Sequence, residues 1–119
     1  MNIRIQGSRE LLTPAIEEYV NKRIIPLSKL VKDDVLCEVE LQKTTDHHRS
    51  GDIFRAEVNM IVSGKQVFVA SEKPDLYEAI DDMRNELDRT LSVQKEKKIS
   101  AFRRGAQKIK NILKGFKGN

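Results

Sequence analysis

Val35, Cys37, Val39 and Leu41 alternate with Leu36, Glu38, Glu40 and Gln42, an apolar–polar pattern of period two. The pattern returns after a polar stretch, where Phe54, Ala56, Val58, Met60 and Val62 alternate with Arg55, Glu57 and Asn59. Strands patterned this way bury one face of their sheet and leave the other wet. A chain built on them needs one apolar layer for the covered face, and the flanking segments supply it.

Ile16, Val20, Ile24, Leu27 and Val31 recur at spacings of three or four, which predicts a helix entered through the N-cap pair Thr13-Pro14. Pro26 interrupts that stripe and predicts a kink or a stop near Arg23. Farther on, Asp75 and Glu78 have capping-box spacing, and Leu76, Ile80, Met83, Leu87 and Leu91 form a second helical stripe, expected to reach about Lys97. Ile3 and Ile5 alternate with polar neighbours before Gly7-Ser8, and QVFVAS follows the turn signal Ser63-Gly64-Lys65, so each adds a strand. The inward face of that last strand stays open, because Val67/Val69 and Phe68/Ala70 are equally apolar. The predicted order is βαβββα: an α+β fold, a four-stranded sheet with two helices on one face, followed by a basic C-terminal extension. Residues 1–98 make the domain and residues 99–119 the tail.

At 119 residues, with a single cysteine, the chain needs no staple and makes no internal disulfide. No secretory or membrane-spanning apolar run is present, which predicts a cytoplasmic, reducing setting. Aromatics are only 5% of residues, too few for the stacking platforms of single-strand recognition. Cys37 sits on the apolar side of its strand and reads as core. Asp46, His47, His48 and Asp52 are the only cluster resembling a metal site, but adjacent histidines point apart and no second ligand group occurs, so it reads as a solvated hairpin loop. With no phosphate loop, nucleophile elbow or triad pattern, neither enzyme activity nor a cofactor is expected.

Charge is the stronger signal. Lys95 to Asn119 carry nine lysines or arginines and one acid, Glu96, leaving thirteen basic and seventeen acidic residues for the rest. A mildly acidic body thus leads into a strongly basic end. Lys22, Arg23 and Lys29 lie on or just after the first helix, and Arg89, Lys95, Lys97 and Lys98 on the second. Each alone reads as a solvated helix face, or as a cation at a helix C-terminus. In the tail, Phe102, Ala106, Ile109, Leu113 and Phe116 follow spacings of four, three, four and three, with Arg103, Arg104, Lys108, Lys110, Lys114 and Lys117 mostly off that stripe. That is the pattern of a basic amphipathic helix for a membrane surface, a partner or an RNA backbone. The bland reading is a tail that orders only on contact.

Within this element order, DLYEAID at Asp75 to Asp81 and LDRTL at Leu87 to Leu91 resemble the second helix of the ribosome hibernation promoting factor family, also called ribosome-associated inhibitor A or sigma-54 modulation protein. IQGSRELLTPAIEEYVNKR resembles the family's first strand and helix, and GDIFRAEVNMIVSGK its central hairpin. The resemblance covers Asn2 to about Lys98. It implies a fold similar to double-stranded-RNA-binding domains and a non-catalytic translation inhibitor that holds ribosomes inactive in stress or stationary phase. It further implies docking in the mRNA and tRNA channel of the small ribosomal subunit through 16S rRNA phosphates, on the 70S ribosome, and leaves open whether ribosome modulation factor is a further partner. The family's basic positions match at Lys22, Arg23, Lys29, Arg89, Lys95 and Lys97, and Lys98 together with Arg103, Arg104 and Lys108 of the tail completes the expected rRNA-binding set. Pro26, Glu86 and Val93 stand where members often have lysine. Too few residues follow Lys98 for the long form's dimerisation domain, so the resemblance is to the short form, expected to be monomeric when free. Competing readings are a membrane-surface or general RNA-binding protein acting through the tail.

Overall fold

Ile3 and Ile5 turn toward the interior from β1 (Asn2–Gly7), the first edge of a four-stranded sheet. The structure, a computed structural model, describes residues 1–32, 34–45 and 51–117. Helix α1 (Pro14–Ile24) starts as its sequence predicts, with Thr13 accepting a hydrogen bond from the Ile16 amide at 3.2 Å. It tightens at Ile25 into a 3₁₀ helix, Ile25–Leu30, with Pro26 in its first turn, where the missing amide hydrogen costs nothing. β2 (Leu36–Thr45), β3 (Asp52–Val62) and β4 (Lys65–Lys73) follow, and α2 (Leu76–Lys117) closes the chain. β2 and β3 extend into the polar stretch between them to take in Lys43 to Thr45 and Asp52, and Asp52, expected in the solvated loop, instead pairs with Lys43 at 3.3 Å. His47 and His48 of the expected solvated loop, with Asp46, lie outside the described residues.

The sheet order is β1-β2-β3-β4, with β1 and β2 parallel and the other pairs antiparallel. At the end of β1 a Cβ on Gly7 would stand 2.8 Å from the Leu41 carbonyl oxygen, so a larger residue there would push the parallel strands apart. Ser63 and Gly64 both take left-handed φ values, 51° and 79°, the mirror-image turn that suits a two-residue hairpin. Between sheet and helices lie Val39, Leu41, Ala56, Val58, Val67, Ile24, Ile80 and Leu87, all nearly inaccessible, together with Cys37, whose thiol burial pushes up to about 11. The ambiguity of β4 resolves here: Val67 and Val69 face the helices, whereas Phe68 is 53% exposed on the open side.

Because β4 runs in the direction of β1 and β2, both helices return against their strands and lie parallel to one another. Their contacts confirm it. Tyr19 packs edge-on against Tyr77 (centroids 4.8 Å apart) and donates to Asp81, Arg23 reaches Asp81 one turn later, and Arg84 donates to the Arg23 carbonyl. The parallel arrangement decides where the cations gather.

Candidate nucleic-acid interface

Parallel helices put their C-terminal ends at one end of the molecule. Lys22 and Arg23 occupy the last turn of α1, and Lys29 the last turn of the 3₁₀ helix, which itself packs against α2. The β3–β4 hairpin turn lies at this end too: Lys98 of α2 donates to the Ser63 hydroxyl at 3.2 Å. Lys22, Lys29, Arg89, Lys95, Lys97 and Lys98 are all exposed. Cations contributed by segments some sixty residues apart in sequence thus share one end and one layer.

Arg23 is partly committed elsewhere. Its Nε donates to Asp81 at 3.0 Å, and Asp81 also accepts from Tyr19, whose phenol that hydrogen bond holds above its ordinary pKa. Arg23 therefore helps join α1 to α2 as well as carrying charge to the surface. Arg84, not anticipated from the sequence, belongs to the same seam and pairs with Asp88 at 3.3 Å. Glu86 and Val93 are exposed on α2 where lysines would have added charge.

The second helix does not stop near Lys97. It continues to Lys117, 42 residues in all, about 63 Å at 1.5 Å per residue. Nothing in the sequence breaks it: Gly105 and Gly115 weaken it without ending it, and proline is absent. The molecule measures 75 × 30 × 18 Å as a result. Every residue from Lys95 to Leu113 is exposed, so Arg103, Arg104 and Lys108 stand on the projecting part of α2. Lys110, which the rRNA-binding set omitted, is exposed beside them; its signal was its place seven residues, about two turns, after Arg103. From Ile99 to Lys117 there are six cations and no acid. The arrangement offers point charges and guanidinium forks to an extended polyanion. Among the described residues no group of three or more histidine, cysteine or acidic side chains is placed to hold a metal, and no helix is long and apolar enough to cross a membrane.

Residues 3–99 match the family described as sigma 54 modulation protein / S30EA ribosomal protein. The chain belongs to that family. Among similar proteins, the ribosome hibernation promoting factor of Azotobacter vinelandii is 31% identical over 99 residues, 83% of this chain and 87% of its own. That of Klebsiella oxytoca is 26% identical over 99 residues, 82% and 96% of the two chains. Among solved structures, the N-terminal domain of Thermus thermophilus Protein Y superposes with a TM-score of 0.65 at 30% identity, across 76% of this chain and 96% of its own. A ribosomal subunit interface protein from Coxiella burnetii shares the fold, with a TM-score of 0.63 at 17% identity across 81% and 99% of the two chains.

The family match stops at residue 99, so nearly all of the projecting helix lies beyond it. Within the match, the DLYEAID segment proves architectural. Leu76, Ala79 and Ile80 are core, Tyr77 packs on Tyr19, and Asp75 accepts from the Tyr77 amide at the start of α2. Asp81 binds Tyr19 and Arg23, and Asp82 just past it accepts from the buried Ser71 hydroxyl at 2.6 Å. The segment that carries the resemblance is therefore what clamps α2 onto α1 and, with Asp82, onto β4.

Proposed function

We propose that this chain is a ribosome hibernation factor: a non-catalytic protein that binds the small ribosomal subunit in its mRNA and tRNA channel and keeps ribosomes inactive under stress or in stationary phase. Membership of the family supports ribosome association. The observation that carries the contact mode is the convergence of Lys22, Lys29, Arg89, Lys95 and Lys97 at one end of two parallel helices, continued by Arg103, Arg104 and Lys108. Channel walls made of RNA present phosphates at short intervals, and each lysine or arginine that neutralises one releases condensed counterions. The projecting helix extends the row of cations and offsets the lysines missing at Pro26, Glu86 and Val93. On this reading the protein acts in the cytoplasm, on 16S rRNA within the 70S ribosome.

Co-sedimentation with vacant small subunits tests the reading. The protein is expected in the subunit fraction at physiological salt, and messenger RNA with initiator transfer RNA is expected to displace it. Protein that stays at the top of the gradient, or stays on the subunit regardless of competitor, contradicts channel docking.

A further inference from the structure

Two features remain outside that function. One is the apolar stripe of the projecting helix. Phe102, Ile109 and Leu113 follow Leu91 by about three, five and six helical turns, so they face the way Leu91 faces, toward the sheet side of the molecule. Leu91 is covered by the sheet; Phe102 and Ile109 are 77% and 62% exposed, because α2 has passed the hairpin turn. Phosphates give such a stripe no apolar partner.

The other feature is the open face of the sheet. Asn59 pairs with Phe68 and Ile61 with Gln66, so Phe68 is diagonal to Ile61; Leu36 lies opposite Ile61 in continuation of the Glu38–Asn59 register. All three are exposed, Ile61 to 65%, and form an apolar patch toward the hairpin end. Glu38, Glu40, Glu57 and Glu72 lie on the same face, Glu57 and Glu72 paired with Arg55 at 2.6 and 3.1 Å, and Arg4 is the other cation there. This face is acidic with an apolar patch at its hairpin end, and the projecting helix is basic with an apolar stripe.

We propose that the free protein forms a two-fold dimer in which each projecting helix lies across the open sheet face of the other copy. No bend is required. A straight α2 carries its stripe past the hairpin at the height it holds above its own sheet. A second copy, turned over about an axis in the sheet plane and placed end to end, presents its open face at that same level. Since α2 packs on β3 and β4, such an axis sets its extension over the partner's β3 and β4, the strands that carry Ile61 and Phe68. Past Lys98 the helix runs for about 28 Å, within the roughly 36 Å length of an eleven-residue strand. Phe102 falls over the apolar patch near the hairpin, and Lys108 and Lys110 over the Glu40–Glu57 row deeper in. The symmetry closes, and it makes the contact twice, which brings the buried area toward that of a stable interface. The route needs no separate dimerisation domain and departs from the expectation of a free monomer. It concerns the ribosome-free protein and does not depend on the ribosomal reading, although the same cations would then be offered either to RNA or to the second copy.

Sedimentation equilibrium of the full chain is the test. The expected mass is twice the 13.7 kDa chain, with the dissociation constant rising about tenfold or more from low to high salt. Two double variants, Ile61→Ser/Phe68→Ser on the sheet and Phe102→Ser/Ile109→Ser on the helix, change only exposed positions and are each expected to be monomeric. Mixed together they should form a heterodimer through the one intact helix and the one intact sheet, at least about tenfold weaker than the wild-type pair. Glu38→Lys/Glu40→Lys should weaken the dimer with the apolar patch untouched. A wild-type monomer at millimolar concentration overturns the proposal, as does a dimer that survives the sheet substitutions, the mark of helix-to-helix pairing. Monomeric wild type and sheet variant that float equally with phosphatidylglycerol vesicles would assign the stripe to a membrane and equally overturn it.

Discussion

Leu91 and Ile109 stand on one helix about five whole turns apart and face the same way, yet Leu91 is 1% exposed and Ile109 62%. Up to Leu91 the apolar stripe of α2 covers a sheet; beyond Lys98 the sheet has ended and the stripe continues. The two halves also differ in charge, since α2 mixes acids and bases through Glu96 and carries only bases afterward. Periodicity states which way a helix faces, and the partner on that side has to come from elsewhere in the chain or from another molecule. The first half is held by the domain's own core, and the second is free to engage something outside it.

The largest effect that would sharpen this contrast comes from truncating each half in turn. Leu87→Ala should lower unfolding free energy by about 2–5 kcal/mol, the range for emptying a fully covered core site. Ile109→Ala in dilute solution should stay within about 0.5 kcal/mol of wild type. Urea melts of both variants check this, and equal losses would mean that the projecting helix is part of the folded body. Next comes the link between helices. Asp81→Ala removes the acceptor shared by Tyr19 and Arg23, and a loss of about 1 kcal/mol is expected, kept small because the Arg23 and Asp81 side chains are 34% and 40% exposed.

Alkaline pH should also separate the two halves. Burial raises the Cys37 thiol from 9.0 to about 11, so the folded state favours the neutral thiol. Stability is therefore full below pH 9 and falls as pH climbs through about 11, where the unfolded chain already holds thiolate. Melts across that range should show the fall for the body, a Cys37→Ala variant should flatten it, and helicity of residues 99–117 should not follow it. The smallest effect lies at Gly105. Nothing stands within 4 Å of where its Cβ would be, so Gly105→Ala should add about 0.5–1 kcal/mol of helix propensity, seen as higher circular-dichroism helicity at unchanged body stability.

Much of this fold was legible because local and global preferences agree. Alternation on β2 and β3, the Thr13-Pro14 cap and the Ser63-Gly64 turn each point to the element that forms. The inward face of β4 was not legible: with Val67, Phe68, Val69 and Ala70 all apolar, only the packing of α2 against Val67 and Val69 chooses a side, leaving Phe68 outside. That α2 runs unbroken into the tail was not legible, because an exposed amphipathic stripe is equally the pattern of a segment that orders only on contact, although no proline terminates the helix. Among the candidate site residues, exposure of the lysines followed from their place off the stripe. The tie of Arg23 to Asp81 did not, since those residues are 58 positions apart and meet only because the helices run parallel.

Salt dependence of small-subunit binding measures most directly the cations assigned to RNA contact. On the proposed function, log K falls linearly with log salt, and each phosphate contact removed lowers the slope by roughly 0.7–0.9. Replacing Arg103, Arg104, Lys108 and Lys110 with glutamine should thus reduce the slope by about 3, and adding Lys22, Lys29, Arg89 and Lys95 to the set should reduce it by about as much again. An unchanged slope and affinity after all eight substitutions would contradict phosphate docking by these helices.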